Sequence, residues 1–254
     1  MSLLSLLPKI LGGKKRQTTR ERRRFLRSAA FGAGVLAVSL LGFVPIIGKW
    51  KTRLRPPGAL DEDAYLASCI KCGQCVQTCP VEAIVLADAE DGFGVGAAYI
   101  DARAQGCDFS CDAIQCVLAC PTGALSHDID AKEQVRMGMA RLDRPDLCLA
   151  RKGEGFVGAV RGPAFKGLLR YAEIDRWTPI PVADHPYDLE LCDLCVRQCP
   201  IPGAIELAPV SNDPNDPRRT PIVHKTCTGC GTCEMICPVE PAAIVIDPRE
   251  ETSA

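Results

Sequence analysis

The sequence predicts an α+β fold in which small repeated units are organised around cysteine. Three observations carry that prediction. Sixteen cysteines fall into four groups of four, each group closes on Cys-Pro, and a short apolar phrase follows each Cys-Pro. The phrases are Val81-Glu-Ala-Ile-Val-Leu, Thr122-Gly-Ala-Leu, Ile201-Pro-Gly-Ala-Ile-Glu-Leu and Val239-Glu-Pro-Ala-Ala-Ile-Val-Ile. Each reads as a turn feeding a short strand, because β-branched residues favour extension. None is large enough to bury a core alone, so the units must share one.

The clearest group runs from Cys69 to Pro80, CIKCGQCVQTCP. Cys69, Cys72 and Cys75 lie on one tight loop and can offer three thiolates to one cuboidal cluster. Cys79 follows after three more residues, and Pro80 stops an interior helix from continuing. This is the run of bacterial four-iron ferredoxins, in which the last cysteine ligates the neighbouring cluster. Cys227, Cys230, Cys233 and Cys237, with Pro238, repeat the spacing without change. Cys107, Cys111, Cys116 and Cys120 form a looser version, with three, four and three residues between cysteines. Cys192, Cys195 and Cys199 lack a first member. Cys79 to Cys107, Cys120 to Cys148 and Cys199 to Cys227 are each 28 positions apart, so Cys148 stands where the third group begins. A 43-residue insertion, 149–191, then separates it from Cys192.

Zinc ribbons use CxxC pairs but rarely add a third cysteine at that spacing and a closing Cys-Pro. A disulfide framework has no reason to repeat one ligand run, and a chain of this length builds a core without staples. The expectation is four [4Fe–4S] clusters on the sixteen cysteines. Groups one and two would exchange Cys79 and Cys120, and groups three and four Cys199 and Cys237. The equal steps do not themselves choose this over pairing one with four and two with three. With 5% aromatic residues, the clusters replace much of the core, and the domain is not expected to fold without metal.

In chain order, residues 1–48 read as an export signal or membrane anchor. Residues 1–27 hold nine Lys or Arg against Glu21 alone, and Ser28 to Gly48 carry no charge. Glu21-Arg22-Arg23-Arg24-Phe25-Leu26-Arg27 resembles the twin-arginine export motif, with Arg22 and Arg23 as the pair. The apolar run is long enough to span a bilayer and has no small-x-small cleavage site at its end. The basic flank keeps the N-terminus cytoplasmic and places the rest outside. Residues 49–60, with Arg53-Leu-Arg-Pro-Pro-Gly-Ala-Leu, read as a Pro-rich linker. Two ferredoxin-like modules are then expected, roughly 61–147 and 148–254. The insertion, with five glycines, four prolines and balanced charge, reads as a surface excursion without a core of its own. Its position between two ligands suggests partner docking.

Beyond residue 27 the chain holds 21 basic and 30 acidic residues, which argues against nucleic acid as a partner. There is no Walker loop, dinucleotide fingerprint, nucleophile elbow or His-Glu-x-x-His. His127, His185 and His224 are scattered and read as ordinary polar residues. With every cysteine assigned, the expectation is an electron-transfer subunit without its own substrate site. A cluster enzyme would need an open iron site, and an assembly factor for a partner's cofactor is the other alternative.

These features together resemble the NapG/MauM family of ferredoxin-type proteins. The resemblance runs from Arg20 to about Pro248 and rests on the twin-arginine motif, Arg53-Leu-Arg-Pro-Pro-Gly-Ala, the cysteine groups and Arg136-Met137-Gly138. It implies a periplasmic protein, tethered to the inner membrane by its N-terminal segment or held there by a partner. It would take electrons from the quinol pool through a membrane polyferredoxin and pass them to a periplasmic oxidoreductase. For NapG that enzyme is nitrate reductase; for MauM the role is maturation of, or electron flow to, methylamine dehydrogenase. The extra residue between Cys107 and Cys111 and the split third group depart from the family pattern.

Overall fold

The computed structural model describes residues 19–48, 52–91, 94–111, 113–171, 173–175 and 177–248. The chain divides into two compact units, Met1–Gly48 and Lys49–Ala254.

The first unit contains one helix, α1 (Thr19–Gly48). Every described side chain from Glu21 to Leu40 is exposed, Arg22 and Arg23 included. Phe25, Phe31 and Val38 are each at least 70% exposed, so among the described residues of its own unit the helix has no core to pack on. Among the described residues no helix is long and apolar enough to cross a membrane. The expected apolar run continues to Gly48, and the side chains of its second half lie outside the described residues.

The second unit contains, in order, α2 (Glu62–Ser68), α3 (Gln74–Gln77), β1 (Ile84–Leu86), β2 (Ala98–Ile100), α4 (Gln115–Leu118) and β3 (Gly138–Leu142). There follow α5 (Leu149–Lys152), β4 (Phe156–Gly158), β5 (Leu168–Leu169), β6 (Ile180–Pro181) and β7 (Tyr187–Leu189). The chain closes with α6 (Leu194–Arg197), β8 (Ile205–Pro209), β9 (Arg219–Val223), α7 (Thr232–Met235) and β10 (Ile244–Pro248). The mixture of short helices and antiparallel strand pairs is α+β.

Two of these pairs repeat one plan. Between its cysteine groups the first half places β1 against β2, with Ile84 opposite Ile100; the second half places β8 against β9, with Ile205 opposite Val223. Each half is also closed from before its first group to after its last. The first half does so by a single bridge, Ala59 to Leu125, and the second by the five-residue ladder β3–β10. Three of the four phrases after Cys-Pro are therefore strands. The second, Thr122 to Leu125, is too short and supplies only the bridge. Residues 138–142, placed by sequence in the first module, pair with 244–248 in the second. Gly138 is required there: a Cβ would lie 2.3 Å from the Asp247 carbonyl oxygen.

Two sequence expectations are corrected. Residues 53–58, expected as linker, are buried. Leu54 bridges to Ile100, and Arg53 and Arg55 are the buried charges of the unit. Arg55 grips both oxygens of Glu62, at 2.8 and 2.5 Å, donates to the Ala98 carbonyl at 2.9 Å, and lies over the Tyr65 ring. A paired guanidinium tolerates burial where a free one would not. The insertion, expected as a coreless excursion, carries the strand pairs β4–β7 and β5–β6. Its Val160, Leu169, Tyr171, Val182 and Tyr187 build a small core with Leu194, Met235 and Ile236. The apolar residues responsible are spread among prolines and glycines, so no regular period announced them.

Candidate metal centres

The cysteine groups are built by one local device. In each, the third cysteine (Cys75, Cys116, Cys195 or Cys233) is the second residue of a four-residue helix, and the fourth follows just past its end. The residue before the helix is left-handed in three groups: Gly73, Ile114 and Gly231. Lys71 and Gly229 occupy a second left-handed position, directly before the second cysteine of their groups. Glycine adopts this backbone freely, and the sharp turns fold three thiols toward one side. The second group absorbs its extra residues with left-handed Phe109, Ala113 and Ile114, at about 1–2 kcal/mol each. Strain of this kind persists where surrounding structure over-determines it, as at ligand-binding sites.

Two sets of four thiols line cavities. One cavity is lined by Cys69, Cys72, Cys75 and Cys120, with Tyr65 at its wall; another is lined by Cys148, Cys192, Cys195 and Cys237. Cys116 feels the charges of Cys111, Cys79 and Cys75, Cys107 those of Cys116 and Cys230, and Cys233 those of Cys230, Cys195, Cys227 and Cys199. Two closing cysteines therefore line a neighbouring group's cavity: Cys120 with group one and Cys237 with group three. Cys148 lies with Cys192 and Cys195 although 43 residues intervene. The loop returns because the Glu154 carbonyl accepts from the Cys192 N–H at 3.0 Å and β4 pairs with β7.

Burial, and then the neighbouring thiols, push the Cys75 thiol up to about 11; burial likewise pushes Cys116 and Cys230 to about 12 and Cys192 to about 11. Thiols held protonated in this way must give up their protons when they ligate a metal, so metal binding would release protons to solvent. Cys120 is the exception. Burial raises it, but the Leu125, Thr122 and Ala124 N–H groups and the Thr122 hydroxyl outweigh that and hold it low. Backbone donors also face two other closing cysteines: Ala83 N–H donates to Cys79 Sγ at 3.3 Å, and Ala243 N–H to Cys237 Sγ at 3.4 Å. Hydrogen bonds to cluster sulfur are one of the settings of reduction potential. Among the described residues no three His, Cys, Asp or Glu side chains converge on a single metal ion. Four thiols spread around a cavity, with donors behind the sulfurs, fit a polynuclear iron–sulfur group.

Several residues around the sets were not legible as site residues. Tyr65 lines the first cavity and donates to the Ala98 carbonyl at 3.0 Å. Lys132 donates to the Pro200 carbonyl at 2.8 Å, beside Cys199. His127 lies 3.1 Å from the Cys120 carbonyl, whereas His224 pairs with Glu206 and His185 stacks on Tyr171. None of the three histidines lines a thiol cavity.

Residues 68–124 and 190–240 each match the 4Fe–4S dicluster domain. The chain is 36% identical over 234 residues to the ferredoxin-type protein NapG of Escherichia coli (strain K12), covering 89% of this chain and 85% of that protein. It is 35% identical over 237 residues to the methylamine utilization ferredoxin-type protein MauM of Paracoccus denitrificans (strain Pd 1222), covering 90% and 88%. NapG of Haemophilus influenzae is 36% identical over 246 residues, covering 93% and 75%. No solved structure matches the chain. The shared identity runs through the cysteine-bearing halves and most of the remaining length, and on that ground the chain belongs to the NapG/MauM family of ferredoxin-type proteins.

Proposed function

We propose that this chain is an exported electron carrier holding four [4Fe–4S] clusters on its sixteen cysteines, two in each of two dicluster modules. The observation that carries the reading is that two cavities are each lined by three cysteines of one group and the closing cysteine of another, Cys120 with group one and Cys237 with group three. A [4Fe–4S] cluster at each set would supply reversible one-electron storage. The protein's part is to hold the thiolates, to aim N–H donors at the sulfurs, and to keep water from the inner sets. No side chain is left over from the sets as a nucleophile, so the chain is read as an electron-transfer subunit without its own substrate.

The N-terminal helix, with exposed Arg22 and Arg23, is proposed as a twin-arginine signal that delivers the loaded protein to the periplasm. There the carrier would accept electrons from a quinol-oxidising membrane partner and pass them to a periplasmic oxidoreductase. A nitrate reductase is the first candidate, after the NapG relatives, and a methylamine-oxidising system the second, after MauM.

The test is anaerobic isolation of the periplasmic protein, with iron and labile sulfide analysis and electron paramagnetic resonance on reduction. Four clusters per chain, and loss of periplasmic protein with its clusters retained in the cytoplasm for Arg22→Lys/Arg23→Lys, are expected. Zinc in place of iron, or continued export of the double variant, would defeat the respective parts. Quinol-driven reduction of the carrier by membranes, with and without added oxidoreductase, tests the direction of flow.

A further inference from the structure

The two halves touch at one pair of candidate ligands. The Cys107 N–H donates to the Cys230 carbonyl at 2.8 Å. In return the Thr232 hydroxyl donates to the Cys107 carbonyl at 3.1 Å, and the same hydroxyl lies 3.6 Å from Cys230 Sγ. All three residues are buried, Thr232 completely. Among the described residues this is the hydrogen-bonded contact that joins cysteines of different halves.

The approach is as close as the backbone permits. A Cβ on Gly106 would lie 2.5 Å from the Thr232 nitrogen, and one on Gly231 would lie 2.8 Å from the Ala102 Cβ. Arg103 clamps the same seam: its guanidinium donates to the carbonyls of Glu234, Cys237 and Val239 at 2.6, 3.0 and 2.9 Å, and pairs with Glu240. Insertion residues seal it from outside, Leu168 through Gln105 and Arg161 through the Arg103 carbonyl.

We propose that an electron passes between the two halves at this Cys107–Cys230 contact, with Gly106 and Thr232 as the positioning residues that hold it closed. The inference rests on the four-cluster reading. It orders the sets along one line: Cys69/72/75/120, then Cys79/107/111/116, then Cys199/227/230/233, then Cys148/192/195/237. The first and last sets are the terminals, and the middle two form the internal junction. In the crossing step one electron leaves the centre on the Cys107 set, which is oxidised by one unit, and enters the centre on the Cys230 set, which is reduced by one. No bond is made or broken and no proton need move.

Thr232 has a further consequence. Its single hydroxyl proton is donated to the Cys107 carbonyl, and its oxygen accepts from the Cys230 thiol at 3.6 Å, so one side chain ties the two ligands together. Removing that hydroxyl should therefore loosen the contact between the halves.

The experiment uses the full-length holoprotein, prepared anaerobically as wild type, Gly106→Ala and Thr232→Val, and reduced with dithionite. Metal analysis comes first, then electron paramagnetic resonance at partial and full reduction. The wild type is expected to show magnetic interaction linking both halves. Gly106→Ala is expected to keep its iron and lose that interaction. Thr232→Val is expected to keep its iron and weaken the interaction. A fully loaded wild type whose halves are magnetically isolated would overturn the proposal, as would unchanged interaction in a fully loaded Gly106→Ala. Unchanged interaction in a fully loaded Thr232→Val would remove Thr232 from it. If Gly106→Ala does not fold, the wild-type spectrum decides alone. Too little iron for four clusters in the wild type would instead strike the four-cluster reading, and metal analysis reports that separately.

Discussion

The two cysteine-bearing halves share a ligand plan and differ in what covers it. In the first half Cys72 is exposed, Ile70 beside it is 62% exposed, and the closing contact is one bridge between Ala59 and Leu125. In the second half Cys148, Cys227, Cys230, Cys233 and Cys237 are all buried, the closure is a five-residue ladder, and the insertion packs its core on Met235 of α7 and Ile236 just past its end. Identical spacing in groups one and four thus gives opposite access to solvent. Burial and hydrogen bonding around a cluster set its potential and its reach to partners, so the outer set of the first half is the more open terminal.

The largest effect that would separate the halves is metal removal. Because thiols stand where large apolar side chains would otherwise pack, chelation is expected to unfold Lys49–Ala254, and to do so in two phases. The first-half absorbance should bleach before that of the second. Stopped-flow absorbance beside circular dichroism measures both, and a single phase would erase the proposed difference in access.

Replacing Glu154 to Pro186 with a short Gly/Ser linker comes next. It would strip the cover from Met235 and Ile236, so the variant is expected to lose iron from the second half while the first stays loaded. Full iron content would mean that the insertion's core contributes nothing to the centres beneath it.

Arg55→Met acts on the first half alone. It leaves Glu62 without its bidentate partner in a half-buried site, at a cost of about 3 kcal/mol. Thermal unfolding of the first-half centre should shift down, with the second-half centre unmoved. The smallest effect is expected of Tyr171→Phe, which removes one buried hydroxyl contact with Tyr187 at 3.1 Å within the insertion. About 1 kcal/mol is at stake there, readable as a small shift in denaturant midpoint.

Much of the site was legible because ligand spacing is a covalent constraint. The 28-residue rhythm pointed to Cys148, which lines a cavity with Cys192 and Cys195, although no strand pair fills that step as β1–β2 and β8–β9 fill the other two. The strands after Pro80, Pro200 and Pro238 were legible from their β-branched residues. What covers the site was not. Arg53 and Arg55 sit in a Pro-rich stretch that has the composition of a linker, and only their pairing with Glu62, Tyr65 and Tyr99 makes them interior residues. The insertion's core draws on Val160, Leu169, Tyr171, Val182 and Tyr187, which have no common period. Thr232 and Gly106 matter through each other, 126 positions apart, and a single sequence carries no sign of such a contact.

The exchange of closing cysteines is the central claim, and the open first half allows a direct measurement of it. Cys120→Ser and Cys79→Ser variants are prepared as holoproteins, and the rapid, chelator-accessible phase of bleaching is followed in each. The cavity holding Cys69, Cys72 and Cys75 also holds Cys120, so Cys120→Ser should lose or alter the rapid phase while Cys79→Ser retains it. The reverse, with the rapid phase abolished by Cys79→Ser and untouched by Cys120→Ser, would show that each group keeps its own fourth cysteine and would contradict the account.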